Sequence, residues 1–181
     1  EDNLDQNYLR FECCPIPPSR HIVRQGVLLF YMGLCDFRSA QKNHTKNNYY
    51  WQQAKSYFQE SLEVFATTGR PDIVAQFIGQ LSEVLHHLQA WSELQKIAQQ
   101  SLDLHQNYGT QIQLACDYGY LADVALNEEN WTKAGQLAQA CLFCLAEAQK
   151  SEESHECLFP ELLQQIYQLV LAKAQKNLRE K

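Results

Sequence analysis

Metal binding, thiol chemistry and proton transfer each need particular side chains at particular spacings, and three groupings in this chain qualify. Cys141-x-x-Cys144, followed by His155 and Cys157, has the residue types and the first spacing of a zinc site. Cys13 and Cys14 are adjacent in a Pro-rich stretch, where a dithiol switch would need a strained bridge. His86-His87 offers two imidazoles that could ligate a metal or sense pH. Neighbouring residues on a helix point in different directions, so two such imidazoles more naturally serve a surface or a groove. The chain has no strand-to-helix nucleophile elbow, no glycine-rich phosphate loop and no HExxH sequence. No catalytic residue, cofactor or metal is therefore expected, and the chain is expected not to be an enzyme.

What must position these residues is a helical scaffold. Gly and Pro number only 7 and 5 in 181 residues, so the turn-rich spacing of an all-β chain is missing. Hydrophobic residues at 45% and charged ones at 20% suit a folded domain with a core. The net charge is −6, and the nearest thing to a basic patch is Lys173, Lys176, Arg179 and Lys181, which suit the solvated end of a helix. The expectation is no nucleic-acid partner. No segment approaches the ~20 apolar residues of a membrane span, and the N-terminus is not a leader sequence. With seven cysteines, an odd number lying mostly in apolar helical patterns, the chain is expected to be cytoplasmic with free thiols. The sequons Asn43–Thr45 and Asn130–Thr132 are then chance matches.

The scaffold repeats. Trp51, Trp91 and Trp131 are separated by 40 residues each. Ala54, Leu94 and Ala134 keep the step, as do Leu62, Leu102 and Leu142. Gly69 recurs as Gly109, Ala75 as Ala115, Gly79 as Gly119, Leu81 as Leu121 and Val84 as Val124. Within each unit, two apolar stripes have helical spacing and are separated by breaks at Thr67–Asp72, Gln89-Ala90, Asn107–Thr110 and Asn127–Asn130. One such hairpin cannot bury its own apolar faces, but stacked neighbours can. The predicted architecture is all-α, an α-α superhelix of about seven antiparallel helices in roughly three and a half hairpins. Residues 1–20 are read as an irregular lead-in, because Pro15, Pro17 and Pro18 oppose a helix. A single domain at 21–181 follows, with units at about 21–67, 71–106, 110–149 and 158–181. Lys42–Asn48 is the expected inserted loop, Ser151–His155 a charged loop and Leu158–Leu178 a final helix. If Leu171-Ala172 is a displaced Leu–small pair, a fourth Trp-like position falls near Lys181, which suggests that the array once continued.

The pattern resembles the tetratricopeptide repeat over roughly residues 22 to 178. Tyr118, Leu121-Ala122, Ala125, Glu129-Asn130, Trp131, Ala134, Ala138 and Cys141-Leu142 fall at that motif's spacings, and Ile78, Leu81-Ser82, Leu85, Trp91, Leu94, Ala98 and Ser101-Leu102 repeat them. The step is longer than that family's usual one, as in long-repeat variants found in bacterial regulators and signalling proteins. Cys141 then occupies a small-residue position of the repeat, and Cys144 lies one turn along the same helix, so both are expected to be buried apolar residues.

The resemblance implies a scaffold or adaptor module that binds a protein or peptide in a groove lined by the first helix of each hairpin. The groove candidates are Gln76, Gly79, Glu83, His86 and His87 in one unit and Cys116, Gly119, Asp123, Leu126 and Asn127 in the next, with Val27, Phe30 and Leu34 upstream. The family's carboxylate clamp is absent, because its positions carry Gly79, Glu83, Gly119 and Asp123. The two acids favour a basic or amide-rich partner. Trp51, Trp91, Trp131, Leu81, Leu121, Ala122 and Ala134 are expected to be structural, with each Trp locking a hairpin turn. The alternative is a regulatory domain that senses a peptide or small ligand; a metal protein or enzyme is the third reading.

Overall fold

A computed structural model describes residues 18–42, 47–150 and, beyond them, 168, 170–172 and 175–177. The elements follow in order as α1 (Pro18–Lys42), α2 (Asn47–Ala66), α3 (Pro71–His87), α4 (Trp91–Tyr108), α5 (Gln111–Asn127) and α6 (Trp131–Lys150). The described residues beyond α6 are helical as well, and no strand occurs among the described residues. Each helix packs on the next in the chain, and α3 also touches α5. This is the expected all-α stack of helical hairpins. No helix among the described residues is long and apolar enough to cross a membrane.

Two boundaries differ from the sequence expectation. α1 starts at Pro18 rather than beyond residue 20, because a residue in the first turn needs no N–H partner and proline starts a helix as readily as it interrupts one. The inserted loop is shorter than Lys42–Asn48, since Lys42 closes α1 and Asn47 already belongs to α2. Residues 1–17, with Cys13 and Cys14, lie outside the described residues. So do the sequon at Asn43, the loop at Ser151–His155, Cys157 and most of Leu158–Leu178.

The 40-residue step is visible in the backbone. α3 and α5 start at Pro71 and Gln111, and α4 and α6 start at Trp91 and Trp131. The turns between them are copies. Gln89 and Glu129 take φ of 53° and 55°, the left-handed conformation that normally calls for glycine. The amide of Ala90 reaches back to the Leu85 carbonyl and that of Gln89 to His86, closing both bonds of a Schellman turn. Asn130 to Ala125 and Glu129 to Leu126 reproduce the pair. Trp91 and Trp131 then donate their backbone amides to the carbonyls of Gln89 and Glu129. At the other turn type, Thr110 caps α5 through a capping box with Gln113.

Of the expected structural positions, Trp51, Leu81, Leu121, Ala122 and Ala134 are buried, while Trp91 and Trp131 are only half-buried. Small residues let the helices close up. Gly33 of α1 leaves no room for a Cβ, because the ring of Phe58 from α2 occupies that space. Ser82 holds the equivalent place in α3, and its hydroxyl is buried without a hydrogen-bond partner among the described residues.

Two stability predictions follow from these local conflicts. Replacing Gln89 or Glu129 by Gly removes a left-handed penalty and should stabilise the chain by about 1 kcal/mol each in urea unfolding. Ser82→Ala removes an unsatisfied hydroxyl and should also raise the unfolding midpoint, by about 1 kcal/mol in stability. Unchanged or lower midpoints would contradict these assignments.

Candidate functional site

Four of the expected groove positions, Gln76, Gly79, Glu83 and Cys116, line a cleft between the first helices of successive hairpins. Gln76, Gly79, Gln80 and Glu83 form its α3 wall, and Ile112, Gln113, Cys116 and Tyr120 form its α5 wall, with His105 of α4 at the floor. The cleft holds about 150 Å³. Gly79 opens it, since a Cβ added there would meet nothing within 4 Å. Three glutamine side chains supply amide donors and acceptors; the Gln113 oxygen is already engaged by the Thr110 amide. Glu83 makes no hydrogen bond or ion pair with a described residue, and burial pushes its carboxyl above the usual range while His86 pulls the other way.

Three further groove candidates, His86, His87 and Asp123, are already engaged. His86 Nε2 lies 3.1 Å from Asp123 Oδ2, which links α3 to α5. The His86 ring also meets Trp91 edge-on at 5.8 Å and Tyr120 at 5.7 Å. His87 stacks on Trp51 with centroids 4.3 Å apart and planes within 12°. Its burial, with His86 nearby, holds it below the ordinary imidazole range, so it stacks as the neutral ring. Asn127 is the exposed last residue of α5.

Phe30 corrects the groove assignment. It is 8% exposed and its ring packs on Phe58 and Phe77 at 5.2 and 4.7 Å, so it belongs to the core. Leu34 is half-buried against the same cluster. The reason is size. The repeat places Phe30 where α3 has Gly79, so the aromatic ring fills in one unit the space that glycine leaves open in the next.

A second constellation lies beneath the cleft. His105 and Asp117 are 2% and 1% exposed, with Nδ1 and Oδ2 2.6 Å apart. Nε2 of His105 donates to the Ala75 carbonyl at 2.8 Å. Ser101 Oγ lies 3.3 Å from Nδ1 and also hydrogen-bonds the Asp117 carboxylate. Both ring nitrogens face acceptor oxygens, so the geometry holds the imidazolium. Burial opposes that charge, but the Asp117 hydrogen bond and charge, together with the Ala75 carbonyl, outweigh it and raise His105 above its ordinary 6.5. The serine and the carboxylate crowd the same nitrogen and are buried, so this is a clasp between helices rather than a nucleophile and its base.

Sequence reasoning missed the clasp, although the repeat signals it. Forty residues earlier, the positions of His105 and Asp117 are Phe65 and Phe77, which stack at 4.7 Å. Polar residues at two aromatic positions mark a pair. Gln80, Gln113 and Tyr120 were also missed, because no repeat rule fixes them.

Cys141 and Cys144 are buried free thiols, and burial pushes both above the usual thiol range. Among the described residues, no three His, Cys, Asp or Glu side chains gather in a metal-binding group. His155 and Cys157 lie outside those residues. No protein-family model and no curated protein matches the chain.

Removing one half of the clasp leaves a buried partner, so Asp117→Asn should cost about 3 kcal/mol in chemical unfolding. Replacing both His105 and Asp117 by Leu, the residue that α6 carries at the buried Leu145 position, should return stability to within about 1 kcal/mol of the parent. A raised folded value gives stability that is complete below pH 6.5 and is lost as pH rises through the raised value. The parent should therefore weaken across that alkaline-going window, and the double Leu variant should show a flat profile there.

Proposed function

We propose that the chain is a tetratricopeptide-like scaffold that binds a protein or peptide partner across the face shared by α3 and α5. The observation that carries this reading is the open, amide-lined cleft around Gly79, with the Glu83 carboxyl on its wall making no hydrogen bond or ion pair with a described residue. Direct contact between α3 and α5 is what the inner side of a curved stack of hairpins has, and such stacks use that side for extended ligands.

The chemistry of the lining specifies the ligand. Side-chain amides can pair with the N–H and C=O groups of an extended backbone, and a half-buried carboxylate without a partner gains most from a cation. A segment carrying Lys or Arg satisfies both demands, with the basic group beside Glu83. Asp123 contributes less than its sequence position suggests, because His86 already pairs with it. Tyr120 provides a flat wall against which the aliphatic stem of a basic side chain can lie.

A peptide array with basic, neutral and acidic sequences tests this reading. Basic peptides should be selected, and Glu83→Gln should weaken the best of them by about tenfold, the equivalent of roughly 1.4 kcal/mol. Gly79→Leu should abolish binding by filling the cleft without lowering the thermal midpoint. Selection of acidic peptides, or full binding by Gly79→Leu, would overturn the proposal.

A further inference from the structure

α1 stands at the end of the described stack, yet its outer face is not polar. Ends of helical arrays are normally kept soluble by polar capping surfaces. Here Leu28 and Tyr31 are 63% and 60% exposed, and Met32 and Cys35 are exposed beside them. Their spacing of i, i+3, i+4 and i+7 places all four on one stripe two turns long.

The repeat's register says what this stripe receives. Phe37 of α1 meets Trp51 edge-on, and His86 of α3 meets Trp91 in the same way. Gly26 of α1 lies under the ring of Phe65, and Ala75 of α3 is bonded by His105 at the equivalent place. α1 therefore aligns with α3 so that Leu28, Met32 and Cys35 match Phe77, Leu81 and Val84. In α5 the same positions are Asp117, Leu121 and Val124. α3 and α5 turn these positions toward the second helix of the preceding hairpin, with Phe77 stacked on Phe65 of α2 and Asp117 bonded to His105 of α4. Leu81, Val84, Leu121 and Val124 are all buried. On α1, the same half of the helix–helix joint is exposed.

Charge narrows the occupant. The chain carries a net −6, yet α1 exposes Arg20, Arg24, Arg38 and Lys42 on the side of the stripe, and none of them forms an ion pair with a described residue. Asp36 is the helix's single acid and is half-buried. Arg20 and Arg24 also line an open cleft of about 450 Å³ with Arg70 of the α2–α3 turn. We infer that the outer face of α1 binds an acidic amphipathic helix of a partner protein, seated as α2 sits on α3. Its apolar residues at i, i+4 and i+7 cover Leu28, Met32 and Cys35, and its carboxylates meet Arg20 and Arg24 at one end and Arg38 and Lys42 at the other. The stripe is narrow and matches the positions at which this fold accepts a helix, which favours a helix over an anionic bilayer.

The test uses a fluorescent synthetic helix of about 20 residues, with Leu at i, i+4 and i+7 and Glu on its flanks, titrated with the full chain. A twin with Lys in place of Glu and anionic phosphatidylserine vesicles serve as the other arms. The acidic helix should bind saturably and more weakly as salt rises. Leu28→Glu with Met32→Glu, and separately Arg24→Glu with Arg38→Glu, should each weaken it by about tenfold or more, with unchanged circular dichroism. Gly79→Leu, which blocks the other cleft, should leave this binding intact. Absence of saturable binding, equal binding of the Lys twin, or indifference to both pairs of substitutions overturns the inference. So does binding of the vesicles without the peptide, or a dimer of the chain that Leu28→Glu dissociates.

Discussion

The end of each second helix has to be held both by the first helix of its own hairpin and by the first helix of the next, and a single side chain does both. In the first joint, the Phe65 ring covers Gly26 of α1 and stacks on Phe77 of α3. In the second, His105 bonds the Ala75 carbonyl of α3 and the Asp117 carboxylate of α5. The geometry is conserved from joint to joint while the chemistry changes from dispersion to a buried charge pair. An aromatic pair adds about 0.5–1.5 kcal/mol beyond its buried area. A buried ion pair contributes little net stability against an apolar substitute, but losing one partner costs several kcal/mol. The second joint is therefore no stronger than the first, and it is far less tolerant of change.

This constraint also explains where the cleft can be. Positions that close the joints recur at the 40-residue step and are buried or half-buried. Positions one turn away are left to vary, and they carry the differences between hairpins. Phe30 seals the first unit, whereas Gly79 leaves the second open toward Gln76, Gln80 and Glu83. His105 belongs to both systems, since it closes a joint and forms part of the cleft floor. Rigidity of the floor comes from His105, and access to it comes from Gly79.

Most of the scaffold was legible in the sequence, because stacking demands periodicity and periodicity can be read directly. The tryptophan step, the Leu–small pairs and the polar breaks located the hairpins and the turns that contain Gln89 and Glu129, though not their left-handed backbone. The site was less legible, because the repeat tells which positions face a groove but not whether a side chain fills it. Phe30 and Gly79 share a position and differ in outcome through volume alone. His86 and Asp123 fell on groove positions and pair with each other across α3 and α5, a contact between units that spacing within one helix cannot reveal. The clasp escaped notice for the opposite reason: His105 and Asp117 occupy core positions, where comparison with Phe65 and Phe77 was the available signal.

The joint between hairpins is the centre of this account, and His105 reports on it directly. Nitrogen-15 NMR of the imidazole in the intact chain should find both ring N–H protons retained to a higher pH than in a free imidazole, slow to exchange with water, and connected by nuclear Overhauser effects to Ser101 on α4 and Ala75 on α3. A His105 ring that titrates as a free imidazole and exchanges its protons rapidly would show that the helices do not meet there, and the stacked-hairpin account would fail with it.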